Sequence, residues 1–349
     1  MLQPNQSATN QFHSNSAQLP PYCERLVAAE DEELFTVNTA NGWLREASRH
    51  AVPKMLFDKF WFETELCILF ADSNLGKSIL AVQIANAISN GHSASPFVCE
   101  AEPQPVLYCD FELTSKQFEA RYSVEYQDHY EFTDNFYRAE LNPGIDLPSG
   151  FKDFDDYLNA SLEKSIVQTG ARVVIIDNLT YLRNETERAK DALPLMKHLK
   201  ALKKTYNLSI LALAHTPKRD MTLEINRNDL QGSKMLMNFC DSAFAIGESV
   251  IDKGMRYLKQ IKQRNTDQVY GSTNVCICRI NKPLNFLQYE FQGFGVEGDH
   301  LRKAKYGQGN DHMDEVVKLR AEGLTLKEIG AKFGLSFQQV DRLIKKAAR

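Results

Sequence analysis

The sequence lacks any apolar run of the roughly 18 residues that a membrane-spanning helix requires. Its N-terminus also lacks the basic stretch followed by an apolar stretch that marks a secretory signal. The 349 residues are 43% apolar and 25% charged, fractions that are ordinary for a soluble globular protein. We therefore expect a cytoplasmic protein without a membrane partner, built from a large domain and small modules.

Cysteine is scarce and irregularly placed. The seven cysteines are odd in number, and most lie in apolar, strand-like runs. This pattern favours reduced thiols in a protein core over a disulfide framework. Cys276 and Cys278 have the spacing of a metal-binding pair, but alternation along a strand explains them more simply, and we favour that interpretation.

Large apolar residues are scarce before Leu26, and residues 1–35 are rich in Gln, Asn, Ser and Pro. Such a segment buries too little surface to offset the entropy of ordering, so we predict a disordered tail. The chain has a net charge of only −4, but its charges are unevenly placed. Residues 301–349 carry eleven Lys or Arg and six Asp or Glu, a net charge of +5 against −9 for the remainder. A basic end on an acidic body indicates an anionic partner.

Between these ends, short apolar runs alternate with amphipathic segments. A short helix is predicted over residues 36–51, with Trp43 and Leu44 on its inner side. Buried strands separated by helices predict an α/β fold, a mostly parallel twisted sheet with helices on both faces. The predicted strands are 66–70, 106–111, 173–176 and 208–214, and the predicted helices are 77–89, 115–124, 154–167 and 195–206.

After Cys240 the pattern changes to strand after strand. Further strands are predicted over residues 242–246, 257–263, 275–280 and 286–291, and the last segment is helical throughout. The expected parts of the chain are a tail at 1–35, an α/β domain at 36–293, a linker at 294–311 and an all-α module at 312–349.

A phosphate-binding pattern lies between the predicted strand that ends at Phe70 and the helix that follows. It fits G-x-x-x-x-G-K-[ST], except that Ala71 replaces the first Gly. In such a loop, backbone N–H groups converge on phosphate oxygens, assisted by the positive end of a helix. Lys77 is expected to reach the β- and γ-phosphates of ATP, and the Ser78 hydroxyl to bind Mg²⁺. The predicted nucleotide-binding residues are Ala71, Asp72, Ser73, Asn74, Leu75, Gly76, Lys77 and Ser78.

Two carboxylates follow predicted strands, where ligands bind in open α/β sheets. Asp177 ends an apolar strand and is predicted to hold the Mg²⁺ hydration shell, although an Asp there can also cap a turn. Glu112 is predicted to orient and deprotonate the attacking water, with Asp110 as the competing choice. We expect the strand before Glu112 to lie close to the strand before the phosphate loop.

The order of these features resembles the RecA-like ATPases. After Asp177 comes the run Leu-Ala-Leu-Ala-His-Thr-Pro-Lys at residues 211–218, which completes the resemblance over about residues 36–291. The most similar branch is the RepA-type hexameric helicases of plasmid replication and the AAA-family ATPases of mobile elements. The resemblance implies that His215 senses the γ-phosphate. Residues 230–234 resemble the Arg-Gly-Ser stretch that borders the DNA-facing loop, but Gln231 stands where Arg is frequent.

The run Lys-Gln-Arg-Asn at residues 262–265 resembles the Lys-x-Arg-Asn signature of the hexameric helicases. The resemblance implies that Lys262 and Arg264 enter a neighbour's site and neutralise charge on the γ-phosphate. The active species would then be a homo-oligomer, such as a hexameric ring. A solvated basic strand end is the alternative.

The last segment resembles the helix-turn-helix of resolvases and sigma-type factors. Gly323 ends a first helix, Thr325 and Glu328 form a capping box, and Gly334 makes the turn before a third helix. A third helix in the major groove of DNA would expose Gln338, Gln339, Arg342 and Lys345. A three-helix protein-docking module is the alternative. The predicted core of the module is Val316, Leu319, Leu326, Ile329, Phe333, Leu335, Val340, Leu343 and Ile344.

Three functions are compatible with these features. The first is an ATP-driven motor that translocates on DNA during replication or mobilisation of a plasmid or mobile element, with a loop at 218–229 lining its channel. The second is an ATP-switched regulator or loader that the terminal module holds at a DNA site. The third, a nucleotide-binding scaffold without activity, is disfavoured because Lys77, Ser78, Glu112 and Asp177 are all present.

Overall fold

The computed structural model describes residues 35–142, 144–179, 189–217, 219–230, 233–302 and 313–347. The chain divides into two compact units, residues 1–52 and residues 53–349. In the first unit the predicted helix is α1 (Ala40–Ala47), which begins after the N-cap Thr39. The predicted burial of Trp43 and Leu44 is wrong, because 43% and 69% of these side chains are exposed. Residues 35–52 contain no second element on which this two-turn helix could pack.

The second unit is organised around a nine-stranded sheet. From edge to edge its order is β13-β12-β11-β10-β3-β9-β8-β4-β7. The six strands from β10 to β7 run parallel, whereas β11, β12 and β13 extend the sheet by antiparallel pairs. These strands are β3 (Leu66–Ala71), β4 (Val106–Asp110), β7 (Phe136–Glu140), β8 (Val173–Asp177), β9 (Ser209–His215), β10 (Ser242–Glu248), β11 (Met255–Lys262), β12 (Val275–Asn281) and β13 (Gln288–Gly295).

Helices cover both faces of this sheet, as predicted. One face of β3 packs against α2 (Lys77–Asn90), and the other face packs against α5 (Ala189–Tyr206), which shares its apolar cluster with α4 (Phe154–Thr169). Because β3 is buried on both sides, its sequence is a continuous apolar run and does not alternate. Two shorter helices are α3 (Ser115–Arg121) and α6 (Ser233–Phe239). The α/β fold class is confirmed.

Several elements differ from the predictions. The short pairs β1 (Met55–Phe57) with β2 (Trp61–Phe62), and β5 (Ser123–Val124) with β6 (Asp128–His129), were not predicted, and neither was the edge strand β7. The expectation that β4 lies close to β3 is wrong. Strands β9 and β8 separate them, because the chain inserts these later strands between two earlier ones.

The predicted linker at 294–311 overlaps folded structure in its first part. Strand β13 continues to Gly295, and a 3₁₀ turn at Glu297–His300 follows. Glu297 is fully buried, and its carboxylate accepts hydrogen bonds from Ile225 N (2.8 Å), from Tyr257 Oη (3.1 Å) and from Lys259 Nζ. The folded body therefore extends at least to Arg302, whose N–H donates to Met221 O (3.1 Å).

The terminal module has the three predicted helices, α7 (Met313–Ala321), α8 (Leu326–Phe333) and α9 (Phe337–Ala347). The capping box of Thr325 and Glu328 is present, and Gly334 ends α8 in the left-handed conformation, with φ 65°. All nine predicted core residues belong to one apolar cluster. Gly330 is required in α8, because an added Cβ would lie 2.4 Å from Leu335 O in the turn.

The cysteines of the described ranges are all free thiols, and only Cys99 among them is not fully buried. Cys276 and Cys278 both lie inside β12, in the apolar interior, where burial raises the pKa of each thiol. Within the described ranges, no helix combines the length and the apolar character that crossing a membrane would take.

Candidate active site

The carboxyl ends of four parallel strands meet at one edge of the sheet, which we name the carboxyl edge. Ala71 of β3 pairs with His215 of β9, and Asp110 of β4 pairs with Asp177 of β8. Strand β9 also pairs with β8, so the four strands β3, β9, β8 and β4 are consecutive. Polar groups that are far apart in the sequence are thereby placed side by side where such sheets bind ligands.

The phosphate loop leaves β3 at this edge. Ala71 is fully buried in the strand and has a negative φ, so the missing first Gly is tolerated. Asp72, Ser73 and Asn74 are exposed, with Asn74 in the left-handed region (φ 61°). Gly76 has φ 90°, and a Cβ there would lie 2.7 Å from Ile280 and 2.8 Å from the Tyr289 hydroxyl.

The ends of β12 and β13 therefore pack directly on the loop. Tyr289 also donates its hydroxyl hydrogen to Leu75 O. Its side chain is buried, so this contact holds the backbone of the loop from the side of the antiparallel strands. Helix α2 begins directly after Gly76, and its free N–H groups point toward the exposed part of the loop.

The ammonium group of Lys77 lies inside the loop. Lys77 Nζ donates to Ala71 O (3.0 Å) and Asp72 O (3.1 Å), and lies 3.2 Å from Nδ1 of His215. Burial lowers the pKa of Lys77, and the charges of Asp177, Glu112 and Asp72 oppose that effect. Phosphate oxygens would be better partners for this cation than carbonyl oxygens, because the hydrogen bond would join opposite charges.

Asp177 is buried at the end of β8, next to Ser78. The hydroxyl of Tyr108 donates to Asp177 Oδ2 (2.7 Å). Burial raises the pKa of Asp177 to about 6, although hydrogen bonds from Ser78 and Tyr108 favour the ionised form. The carboxylate is thus an anion with few protein cations around it, which suits a residue that faces a metal ion.

The oxygen donors present fit Mg²⁺. A serine hydroxyl and a carboxylate in contact with each other are hard ligands of the kind that Mg²⁺ prefers. Within the described ranges, no cluster of three or more His, Cys, Asp or Glu side chains could hold a metal ion alone. Ser78 and Asp177 would therefore hold Mg²⁺ together with the phosphates and water, as is usual for this ion.

Glu112 reaches the same place from β4. The amide Nδ2 of Asn178 donates to Glu112 Oε1, and Nε2 of His215 lies 3.7 Å from the same oxygen. Contact with His215 is the main cause that lowers the pKa of Glu112. The competing Asp110 is buried and forms an ion pair with Arg138 at 2.9 Å. Its carboxylate is therefore already paired, unlike a group that would contact the attacking water.

Two known domain families match separate segments of the chain. An AAA domain family matches residues 30–221, more than half of the chain, and a helix-turn-helix domain matches residues 315–348. The chain belongs to the AAA domain family. It is thus a RecA-like P-loop ATPase by family, with a C-terminal helix-turn-helix domain, and the predicted resemblance is confirmed.

The chain is also similar to a solved structure. A KaiC-like protein from the hyperthermophilic archaeon Pyrococcus horikoshii OT3 is similar over 67% of this chain and 93% of its own. The sequence identity is 12% and the TM-score is 0.45. No curated protein matches the chain in sequence.

Lys262 and Arg264 lie away from the phosphate loop of their own chain. Lys262 pairs with Ala243 near the start of β10, and therefore at the edge opposite the carboxyl edge. Lys262 Nζ donates to Met237 O (2.6 Å) and Cys240 O (2.7 Å), whereas Arg264 pairs with Asp241 at 3.2 Å. About half of the Arg264 side chain is exposed, at 52%.

Other predicted residues fall in the helix-turn-helix domain or outside the described ranges. Gln338, Arg342 and Lys345 are exposed on α9, and Lys345 pairs with Asp341 at 2.8 Å. The side chain of Gln339, the residues Lys218 and Gln231, and the tail at 1–34 lie outside what the structure describes.

Three residues near the site of the AAA domain were missed by the sequence analysis. Tyr108 and Asn178 contact Asp177 and Glu112, as described above. One guanidinium nitrogen of Arg121, Nη1, is buried without a hydrogen bond in the described ranges, and the charge of Arg121 lowers the pKa of Glu112. The position of Asn178 directly after Asp177 was the one signal that the sequence offered for any of them.

We expect Asp177→Asn to stabilise the nucleotide-free protein at neutral pH. Because burial raises the pKa of Asp177 to about 6, the folded protein keeps a proton that the unfolded chain has already released. Stability is therefore lost as the pH rises from about 4 to about 6, and the ionised side chain costs roughly 2–3 kcal/mol above that window.

Urea unfolding of both proteins at pH 7.5 and near pH 4 measures this effect. The advantage of Asp177→Asn should be present at pH 7.5 and should shrink toward pH 4. Asp299→Asn, which changes an exposed carboxylate, serves as the control. A substituted protein that is no more stable than the original at pH 7.5 would contradict the assignment of a buried charge.

Proposed function

We propose that this chain is a cytoplasmic, DNA-associated enzyme that hydrolyses ATP with Mg²⁺. One observation carries the proposal: Lys77, Ser78, Asp177, Glu112 and His215 converge on one edge of the sheet, although they come from four different strands or strand ends. A cation, a metal-binding pair and a carboxylate within a few ångströms are the parts that phosphoryl transfer to water requires.

Each side chain has a role that follows from its position. Lys77 and the N–H groups of the loop bind the β- and γ-phosphates, and Ser78 with Asp177 hold the metal, which neutralises phosphate charge when bound. Glu112 is ionised at neutral pH because its pKa is lowered, so it can accept a hydrogen bond from the attacking water. His215 lies between Lys77 and Glu112, where it would contact the γ-phosphate.

We expect Glu112→Gln to bind Mg·ATP normally and to lose at least about 100-fold in turnover, because general-base catalysis typically contributes factors of that size. A fluorescent ATP analogue measures binding, and phosphate release measures turnover. Glu131→Gln, which changes an exposed carboxylate, is the matched control. Turnover that survives in Glu112→Gln would remove Glu112 from the mechanism, whereas binding that survives in Lys77→Ala would remove the phosphate loop.

Arg264 supports an oligomeric form of the enzyme. It cannot serve its own phosphate loop, because the six residues of β3 separate Asp241, its partner, from the carboxyl edge. Its guanidinium is half exposed and is thus available to a neighbouring subunit. A ring in which each Arg264 enters the next subunit's site, such as a hexamer, is consistent with both facts. Lys262 would hold the strand end before Arg264 through its hydrogen bonds to Met237 O and Cys240 O.

We expect Arg264→Ala to bind ATP and to lose roughly 10³-fold or more in turnover, as arginine-finger removal does. Mixing Arg264→Ala with Lys77→Ala tests whether the two residues act across an interface. Random mixing would join an intact loop to an intact Arg264 at about a quarter of the interfaces, so part of the activity should return. Arg279→Ala is the control. Full activity in Arg264→Ala would instead assign that residue to a solvated strand end.

The helix-turn-helix domain supports duplex DNA as the partner. Gln338, Arg342 and Lys345 project from α9, while its other face packs on the core of the module. We expect Arg342→Ala in the full chain to weaken duplex binding by about 1–3 kcal/mol, and to reduce the salt dependence if Arg342 contacts a phosphate. Fluorescence anisotropy measures this, with Lys253→Ala as the control. Equal affinity of Arg342→Ala and the original protein would favour a protein-docking role for the module.

Two versions of this function remain, and each has support. The resemblance to plasmid and mobile-element ATPases, together with Arg264, supports a helicase-like motor in replication or mobilisation. The loop at 218–229 supports a regulator or loader that does not unwind DNA, because Asp220, Glu224 and Asp229 offset the basic residues that a DNA channel would need. Stimulation of turnover by single strands indicates the motor, and stimulation by a particular duplex indicates the regulator.

A further inference from the structure

The hydroxyl of Tyr108 is buried against the carboxylate of Asp177. Tyr108 lies on β4 and Asp177 ends the neighbouring strand β8, with Tyr108 paired to Ile175 across the ladder. The Oη–Oδ2 distance is 2.7 Å, and the two side chains are 0% and 1% exposed. Such a distance is that of a hydrogen bond from a hydroxyl to a charged oxygen, one of the stronger kinds in proteins.

The contact restricts the orientation of both the Tyr108 ring and the Asp177 carboxylate. The ring of Tyr108 is stacked near Phe136 of β7, with 6.3 Å between the ring centroids and 21° between the planes. A ring enclosed in this way cannot swing away from the carboxylate. Because Tyr108 holds Oδ2, rotation of the Asp177 carboxylate would break a hydrogen bond that no water can replace at a buried site.

We propose that Tyr108 is a positioning residue that turns the Asp177 carboxylate toward the metal and Ser78. This inference rests on the proposed function, because it concerns the metal that accompanies ATP. Partners that orient a metal ligand commonly change metal affinity by about 10- to 100-fold when they are removed. Without the hydroxyl, Asp177 loses the constraint on the plane of its carboxylate.

A purely structural role for Tyr108 is the competing explanation. In that case the hydroxyl simply satisfies a buried carboxylate, and its removal lowers stability without a specific effect on the metal. The two explanations differ in one quantity, the affinity for a divalent ion at equal nucleotide occupancy. Measurement of that affinity needs no turnover.

The experiment compares Tyr108→Phe with Tyr122→Phe in the full chain. Tyr122 is a matched control, because it is 3% exposed and its hydroxyl is buried without a hydrogen bond in the described ranges. Mn²⁺ replaces Mg²⁺ as a paramagnetic probe, and free Mn²⁺ is titrated by electron paramagnetic resonance in the presence of saturating ADP. A fluorescent ADP analogue, used with a chelator present, gives the nucleotide affinity without metal.

We expect Tyr108→Phe to bind Mn²⁺ in the ADP complex about 10- to 100-fold more weakly, with metal-free ADP affinity unchanged. Tyr122→Phe should match the original protein in both measurements. Unchanged Mn²⁺ affinity in Tyr108→Phe overturns the inference and leaves the proposed function intact. If the original protein binds no Mn·ADP, the proposed function itself fails, and the inference fails with it.

A second comparison tests whether Tyr108 acts through Asp177. In the Asp177→Asn background the carboxylate is absent, so Tyr108→Phe should cause no further loss of Mn²⁺ affinity. A further loss of tenfold or more in that background would show that Tyr108 acts independently of Asp177, which also overturns the inference.

Discussion

The arrangement at the carboxyl edge depends on the parallel register of β3, β9, β8 and β4. Backbone hydrogen bonds in that register place Ala71 beside His215 and Asp110 beside Asp177, with the second pair two residues before the first along the strands. A shift of one residue in any of these pairings would turn its polar end residue to the other face of the sheet. Both faces of these strands are buried, so such a shift would also disrupt the packing of their side chains on the helices. The same strand pairing therefore determines both the packing of the core and the position of the proposed catalytic groups.

At the carboxyl edge, the buried charges of Lys77 and Asp177 are only partly compensated by their protein neighbours. Lys77 is bound by carbonyl oxygens, and burial lowers its pKa, whereas burial raises the pKa of Asp177. Each ion would gain a better partner from a nucleotide and its metal than the protein supplies. The free energy of these two unfavourable burials is therefore available to favour the binding of ligands of opposite charge. Arg121, whose buried Nη1 has no hydrogen bond within the described residues, is a further incompletely compensated cation.

Much of the fold and part of the site could be predicted because the relevant signals are local. The phosphate loop is a run of eight neighbouring residues, and the helices of the terminal module are marked by Gly323, Thr325 and Gly334 at short spacings. Strand order is not local, so the separation of β4 from β3 was not foreseen. Tyr108 was missed for the same reason, since its role comes from a contact across two strands. The edge strand β7 was missed because its sequence, Phe-Tyr-Arg-Ala-Glu, is short and half polar.

Gly76, in the loop after β3, lies against side chains of the antiparallel strands β12 and β13. This contact limits how far the protein can be shortened. The matched AAA region ends at residue 221, yet the side chains that pack on Gly76 and hold Leu75 are Ile280 and Tyr289. A fragment cut at the family boundary would expose the flank of the nucleotide loop to water and free its backbone. The smallest fragment with an intact loop must therefore include all of β13, which ends at Gly295, whereas the family match ends at residue 221.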